Sequence, residues 1–599
     1  MNGENKPQQV GGEAPVPSAP ADEIWGSDAI AAVLREIGIP YLALNPGASY
    51  RGLHDSLVNY LGNKAPQMLL CLHEEAAVAI AHGYAKASGQ LMGAVLHSNV
   101  GLMHGSMGIF NAWCDRVPIL LLGATGPVDA AKRRPWIDWL HTSRDQGGLI
   151  RDYTKWDDQP ASVAATEEAL LRAAQIACTA PYGPTYVNID AAVQEAKIGR
   201  PPALPQVQRF LPPPPVRPAP EAIVLAAQLL SAAKNPIILM GRVGRSEESW
   251  RQRLVLAESL QAPVLIDIKT PAAFPTDHPQ LLAPPGFFLT PEGVSAIKNA
   301  DVVLSLDWID LGGTLRQAWG QEPVSAKVVQ VSLDQHLHRG WGMEYYGLAP
   351  TDVYLLCEPD VAVPLLVSAI KPRSKTAFAP TAMAGVAPRD LPNQGPIGMK
   401  HLADALNQAT TGLDACITRL PLGWNGGYRH FRHPMDYLGY DGGAGIGSGP
   451  GMTVGAALAL KGSGRLPIAV IGDGDFMMGA SAIWTAVHYG IPMLLVVANN
   501  RSFYNDEAHQ ERVAKERSRP VENKWIGQRI GEPDIDLAMI ACAQGAEGIG
   551  PVAKPADIVV ALRQGLEVVK GGGIAVVDVR VAPGYDTNMS GSPASAQRR

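Results

Sequence analysis

The sequence predicts an α/β protein of three domains, each a parallel β-sheet covered by helices on both faces. Three observations carry that prediction. Short apolar strands alternate with helical segments along nearly the whole chain, the pattern of parallel sheets buried on both sides. Two proline-dense stretches, residues 200–220 and 371–395, exclude helix and inner strand and divide the chain into three blocks. In the last block a strand-helix-strand unit runs from Ile471 to Asn500, and such a unit brings both strand ends to one sheet edge.

Composition agrees with an ordinary globular protein. The 599 residues are enough for three or four domains' worth of core, with 46% hydrophobic and 18% charged residues. A net charge of −6 gives no reason to expect nucleic acid or an acidic membrane as partner. The six cysteines (Cys71, Cys114, Cys178, Cys357, Cys416, Cys542) show no CxxC spacing, which reads as reduced thiols and not as a disulfide frame or a zinc site. No apolar run approaches the roughly 18 residues of a membrane span, and the N-terminus has no signal-peptide pattern. The expected setting is cytoplasmic.

Taken in order, residues 1–22 are polar and rich in Pro and Gly and are expected to form a disordered tail. The first domain, 23–199, opens with a helix capped by Ser27 and running through Ile37. Its expected strands are Tyr41 to Leu44, Met68 to Leu72, Met92 to Leu96, Pro118 to Leu122 and Thr185 to Ile189. Between the second and third lies Glu75 to Ser88, so apolar on all sides that it is expected to be buried all round. After the 200–220 linker, the central domain (221–370) offers strands at Pro236 to Met240, Pro263 to Ile268, Val302 to Leu306 and Lys327 to Val331. It carries GRVGRS (Gly241 to Ser246) but neither GxGxxG nor GxxxxGK[ST], leaving open whether it binds a nucleotide (FAD, or an ADP or coenzyme A moiety) or nothing. The linker 371–395 leads to the third domain, 396–586, and a short tail, 587–599, follows.

The third domain holds the chemistry. An apolar strand, Leu466 to Ile471, ends in Gly472-Asp473-Gly474-Asp475, and a second, Pro492 to Ala498, ends in Asn499-Asn500. Asp473 and Asn500, 27 residues apart, then face one another across the sheet edge. A carboxylate, an amide oxygen and a backbone carbonyl suit Mg2+ shared with phosphate oxygens, and the glycines let the backbone approach those phosphates closely. GDG followed some thirty residues on by NN resembles the diphosphate-metal motif of thiamine diphosphate enzymes. That resemblance implies Mg2+ held by Asp473, Asn500 and the Ser502 carbonyl, with Gly472 through Asp475 at the diphosphate. Three α/β domains joined by proline linkers resemble the pyruvate oxidase, decarboxylase and acetolactate synthase branch: a pyrimidine domain, a central Rossmann-like domain and a diphosphate domain.

In that family a glutamate of the first domain meets the aminopyrimidine end of the cofactor. Glu74, after the strand MLLCL and before AAVAIAHGYAKAS, matches the pattern of a glutamate followed by small residues and GYA. Glu75, the neighbouring acid, reads as a helix-start charge. The stretch LHSNVGLMHGSMGIFNAW resembles a segment of the benzoylformate decarboxylases, in which the histidine lies in the active site; here that residue is His97, a group suited to proton transfer. SAIWTAVHYGIP resembles the same enzymes. Two departures limit the match. Ala48, not serine, directly follows Asn45-Pro46-Gly47, with Ser49 one place on, and no histidine near Leu306 to Gly312 replaces the second active-site histidine of those enzymes. Where the family supports the bent cofactor with a bulky aliphatic residue, this chain offers Ile446, Pro450 or Met452.

After Asn500, Tyr504 resembles the family's tyrosine, and Glu507 and His509 are further acid-base candidates. The expected function is a thiamine diphosphate- and Mg2+-dependent enzyme that breaks or forms a carbon-carbon bond beside a carbonyl. A 2-oxo acid decarboxylase or lyase with carboligase capacity leads; an acetolactate synthase-like transferase and a 2-hydroxyacyl-coenzyme A lyase are the alternatives. A cofactor-binding scaffold that has lost catalysis is the non-enzyme alternative. The substrate is expected to be a small 2-oxo acid, aldehyde or acyl thioester. The resemblance also implies a homodimer or homotetramer, with the first domain of one subunit facing the third domain of another.

Overall fold

A computed structural model describes residues 13–17, 23–199, 203–336, 348–373 and 391–584. The C-terminal tail lies outside the described residues, as do most of the N-terminal tail and positions 374–390 of the second linker.

Three all-parallel sheets form the frame. The first contains β1 (Tyr41–Leu44), β2 (Gln67–Leu70), β3 (Met92–Leu96), β4 (Ile119–Thr125), β5 (Trp156–Asp158) and β6 (Thr185–Asp190), in the order β2-β1-β3-β4-β6-β5. The second contains β7 (Pro236–Met240), β8 (Val264–Ile266), β9 (Val302–Leu306), β10 (Lys327–Val331) and β11 (Val353–Leu355), in the order β11-β10-β9-β7-β8. The third contains β12 (Ala415–Arg419), β13 (Leu466–Gly472), β14 (Met493–Asn499), β15 (Glu547–Val552) and β16 (Ile574–Arg580), in the order β12-β13-β14-β16-β15. The predicted α/β fold class is the one observed.

Sequence periodicity missed the short or edge strands β5, β11, β12 and β15. Two of these have only three residues, and β15 (EGIGPV) has the glycines and proline that usually mark loops. The first helix begins at Gly26 with Trp25 at its N-cap, so Ser27 is not the cap. Its hydroxyl is buried and accepts a hydrogen bond from Ser56 Oγ at 2.8 Å.

The helix Glu74–Ser88 is buried along nearly its whole length because it lies between two domains. On one side it covers the first sheet; on the other it packs on the helix Gly449–Leu460 of the third domain, and both contribute to one apolar core. The two backbones approach so closely that a Cβ on Gly455 would stand 1.9 Å from Ile80 O, and one on Gly83 2.0 Å from Met452 O. The absence of side chains at these two positions is what makes the seam possible.

Candidate active site

The candidate residues gather at the C-terminal edges of the first and third sheets, where loops leave parallel strands. In the first sheet, β1 is paired on one side with β2 and on the other with β3, so the loops beginning at Asn45, Cys71 and His97 are neighbours. Asn45 Nδ2 donates to Cys71 O at 3.0 Å, and Tyr50 OH donates to Asn45 O, tying the first two loops together.

Glu74 is the first residue of its helix and is only 6% exposed. His104, on the next helix (Ser98–Cys114), places Nδ1 3.0 Å from Glu74 Oε2 and stacks on His73 at 5.1 Å between ring centroids. Glu74 Oε1 lies against Gly101, where a Cβ would come within 3.1 Å. One carboxylate oxygen is therefore engaged while the other remains available.

His97 is the N-cap residue of the helix Ser98–Cys114 and is half-buried. Ser49 Oγ lies 2.8 Å from His97 Nδ1, and the Ser49 N–H approaches the same atom at 3.4 Å. With an N–H pointed at Nδ1, the neutral ring carries its proton on Nε2. Thus Ser49, one place beyond the expected position, still reaches the histidine. Gly47 makes this approach possible, because a Cβ there would stand 2.3 Å from the His97 ring. Burial holds the His97 pKa below its usual value, and the nearby His141 ring acts in the same direction against a smaller opposing pull from Glu74. His141 and His104 carry no motif; only their loop and helix positions bring them to the site.

In the third sheet, β13 and β14 are adjacent, with Gly472 opposite Ala498, so Asp473 and Asn500 leave the same edge as expected. The Ser502 N–H joins them, donating to Asn500 Oδ1 at 2.9 Å and to Asp473 Oδ2 at 3.2 Å. Asp473 Oδ1 accepts the Gly474 N–H at 3.1 Å. The carboxylate is 4% exposed, and burial pushes its pKa up to about 6 against the pull of backbone N–H groups. Among the described residues no cationic side chain pairs with it. A buried carboxylate of this kind is well suited to a metal cation.

The remaining residues of the motif divide. A Cβ on Gly472 would meet nothing within 4 Å, whereas one on Gly474 would come within 2.7 Å of the Phe503 ring. Gly472 thus borders open space and Gly474 serves packing. Both Asp475 oxygens are engaged inside the chain: Oδ2 by Arg419 Nε at 2.8 Å, and Oδ1 by the N–H groups of Gly447 (2.7 Å) and Gly449 (3.1 Å). Arg419 also pairs with Asp441 at 2.8 Å and lies under the Tyr440 ring at 4.4 Å. Asp475 therefore anchors the loop leading into the Gly449–Leu460 helix. Of the three aliphatic candidates, Pro450 and Met452 are buried in that helix and Ile446 is half-buried in the loop before it.

Tyr504 opens the helix Tyr504–Glu516 and is half-buried. Glu507, one turn on, is 1% exposed, accepts Ser502 Oγ at 2.5 Å and lies 3.3 Å from Arg529 Nε. It props the Ser502 segment from beneath. His509 lies half-buried on the same helix.

A separate cavity of about 520 Å3 lies between the first and central domains, bordered by Lys86, Arg116, Arg242, Arg245, Asp307 and Glu358. Arg116 pairs with Asp334 and, at 3.4 Å, with Asp307; Arg242 stands 3.7 Å from Asp307. Arg116 and Arg242 thus lie beside the chain's own carboxylates, and a nucleotide in the central domain is unsupported.

Three family models match in order along the chain: the N-terminal TPP binding domain of thiamine pyrophosphate enzymes at residues 24–149, the central domain at 223–337 and the C-terminal TPP binding domain at 422–579. The chain belongs to the thiamine pyrophosphate enzyme family. Relatives of this thiamine pyrophosphate enzyme include benzoylformate decarboxylase of Pseudomonas aeruginosa, 25% identical over 500 residues that cover 79% of this chain and 85% of the relative. The acetolactate synthase large subunit of Lactococcus lactis is 24% identical over 505 residues, covering 82% and 83%. The crystal structure of benzoylformate decarboxylase from Polynucleobacter necessarius superposes with a TM-score of 0.76 at 19% identity, over 94% of this chain and 99% of that one. The cofactor of this thiamine pyrophosphate enzyme is thiamine diphosphate. Among the described residues no helix is long and apolar enough to cross a membrane.

Proposed function

We propose that the protein is a Mg2+-dependent 2-oxo acid decarboxylase or lyase of the benzoylformate decarboxylase kind, with carboligase capacity. The observation that carries this reading is His97, held at the end of β3 by Ser49 beside the buried Glu74. A proton-transferring imidazole at this place is needed when the product must gain a hydrogen where a carboxylate has left.

Thiamine diphosphate, when bound, supplies the attacking carbon and the sink for the electrons of the broken bond. The chain's residues do the rest. Asp473, Asn500 and the Ser502 carbonyl would hold Mg2+, and Gly472 would leave room for the diphosphate. Glu74 would offer Oε1 to the aminopyrimidine end of the cofactor as the group that holds or releases a proton there. His97 would face the substrate with its Nε2 proton, and Tyr504, half-buried at the start of its helix, is a further candidate contact. Ile446, Pro450 and Met452 are the aliphatic candidates that would support the cofactor. Because Glu74 and Asp473 belong to different domains of a family whose sites lie between subunits, the active form is a homodimer or homotetramer.

The test is a screen of 2-oxo acids for carbon dioxide release with thiamine diphosphate and Mg2+, benzoylformate against pyruvate first. Aldehyde formation from an aromatic 2-oxo acid is the expected outcome. Acetolactate formation from pyruvate would select the second reading, an acetolactate synthase-like transferase, which is favoured by relatives of nearly equal identity. No turnover and no cofactor-induced rise in Tm would remove both.

A further inference from the structure

The inner strand β16 (IAVVDVR) carries one carboxylate among apolar residues. Asp578 is fully buried, and a charge taken out of water inside a sheet is kept at a cost. Its neighbours show what it does there. β16 lies between β14 and β15, with Asn499 of β14 opposite Arg580. Side chains alternate along a strand, so Asp578, two residues before Arg580, shares the face to which Asn499 points. Asn499 Nδ2 reaches along that face and donates to Asp578 Oδ1 at 2.9 Å. Asp578 Oδ2 has no hydrogen-bond partner among the described residues, and Arg580 Nε stands 3.8 Å from it. The close contact of this carboxylate is the Asn499 amide.

A carboxylate only accepts hydrogen bonds, so it decides which way that amide is turned. With Nδ2 toward Asp578, the amide oxygen faces away and accepts the Arg501 N–H at 3.2 Å. Asn499 O accepts the Val581 N–H at 3.0 Å, which fixes the backbone of the same residue. Arg501 adopts φ of 56°, a left-handed value that a non-glycine residue keeps only where surrounding contacts impose it. Its carbonyl is held too, accepting the Ile530 N–H at 2.8 Å. This kink turns the chain between Asn500 and Ser502, and the Ser502 N–H then meets both Asn500 Oδ1 and Asp473 Oδ2.

We propose that Asp578 is a positioning residue of the Mg2+ site. By orienting the Asn499 amide it holds the left-handed Arg501, and so sets the Asn500 side chain and the Ser502 carbonyl beside Asp473. The proposal rests on the Mg2+ reading above and adds to it a residue 79 positions beyond Asn499 in sequence. Asp578 touches neither metal nor cofactor in this account; it acts through one amide and one backbone turn.

The experiment titrates Mg2+ into full-length, metal-depleted protein with saturating thiamine diphosphate, by isothermal calorimetry far below Tm. Asp578→Val removes the acceptor and keeps a residue suited to a strand. It is expected to weaken Mg2+ binding by about 10–100-fold, the usual scale for a group that orients metal ligands from behind. Asp578→Asn, which retains an acceptor oxygen, should stay within about threefold of the wild type. Asn499→Ala should weaken Mg2+ binding as much as Asp578→Val does, and the double variant no further, because the two residues act in series. Val577→Ala removes packing on the opposite face of β16; it should lower Tm and leave Mg2+ affinity within about twofold. Asp578→Ala serves if the valine variant misfolds. A folded Asp578→Val or Asp578→Ala protein that binds Mg2+ within about threefold of the wild type overturns the proposal alone. Losses that add in the double variant, or that Val577→Ala reproduces, also overturn it. A wild type that takes up no Mg2+ with thiamine diphosphate overturns the Mg2+ reading, and this proposal with it.

Discussion

His104 Nδ1 lies 3.0 Å from Glu74 Oε2, so the buried carboxylate meets an imidazole on one oxygen and is open on the other. This arrangement fixes which oxygen the aminopyrimidine can reach. His104→Ala should lower kcat by about tenfold with the cofactor-induced Tm rise retained, because the carboxylate loses its orientation and not its charge. His104→Asn, which keeps a donor, should recover part of that loss. Glu74→Gln, by contrast, should abolish turnover and leave Mg2+ binding intact. Steady-state kinetics and thermal shift on the three variants check this.

Asp473 is the sharpest case of a residue poorly suited to the empty fold. Its carboxylate is buried, its pKa is raised to about 6, and no cationic side chain among the described residues offsets it. Asp473→Asn should therefore raise the Tm of the cofactor-free protein while removing the further rise caused by thiamine diphosphate plus Mg2+. A substitution that stabilises the apo form and abolishes loading separates a ligand carboxylate from a structural one, whose loss would lower both values. Differential scanning calorimetry with and without cofactor gives the answer.

Glu75 reaches into the third domain, where its Oε1 is buried without a hydrogen bond and lies near Gly447. Burial raises its pKa above 4.5, and Asp475 and Asp441 add to the effect. An acid whose folded pKa lies above its unfolded one binds more protons in the folded state. Its ionisation therefore destabilises the fold progressively as pH rises from 4.5 through the folded value. Glu75→Gln should raise Tm at pH 8 and leave it unchanged near pH 4. A Tm difference that is the same at both values would remove this account.

The same residues show what a sequence reveals and what it hides. Asp473 and Asn500 were legible because strand, turn, helix and strand follow one another directly, and a parallel crossover admits one arrangement of its ends. Glu74 was legible from its place between an apolar strand and a small-residue helix. Asp475 sits in the same motif, yet its partner Arg419 is 56 residues away in sequence at the end of β12, a strand that periodicity did not reveal. Glu75 was read as a helix-start charge because nothing local shows that the first domain's helix would lie across the third domain. His104 and His141 come to Glu74 and His97 through helix phase and loop closure, which residue spacing alone does not encode. Ser49 was noted as displaced by one position, and a 3-10 turn at Ala48–Tyr50 restores its reach.

The seam between the helices Glu74–Ser88 and Gly449–Leu460 gives a prediction in which two mutations must not add. Gly83→Ala and Gly455→Ala each place a methyl group about 2 Å from a backbone carbonyl of the opposing helix, with no flexible side chain to yield. Each should destabilise the protein by about 3 kcal/mol, at the upper end for overpacking. Relief in either case is a small separation of the same two helices, so the first substitution prepays part of the displacement that the second requires. The double variant should therefore cost clearly less than about 6 kcal/mol, a coupling expected of residues that share one backbone shift. Because Glu74 stands at the N-terminus of one of these helices, the separation should also weaken the thiamine diphosphate response in all three variants. Additive destabilisation with undisturbed cofactor binding would show instead that the two contacts relax independently.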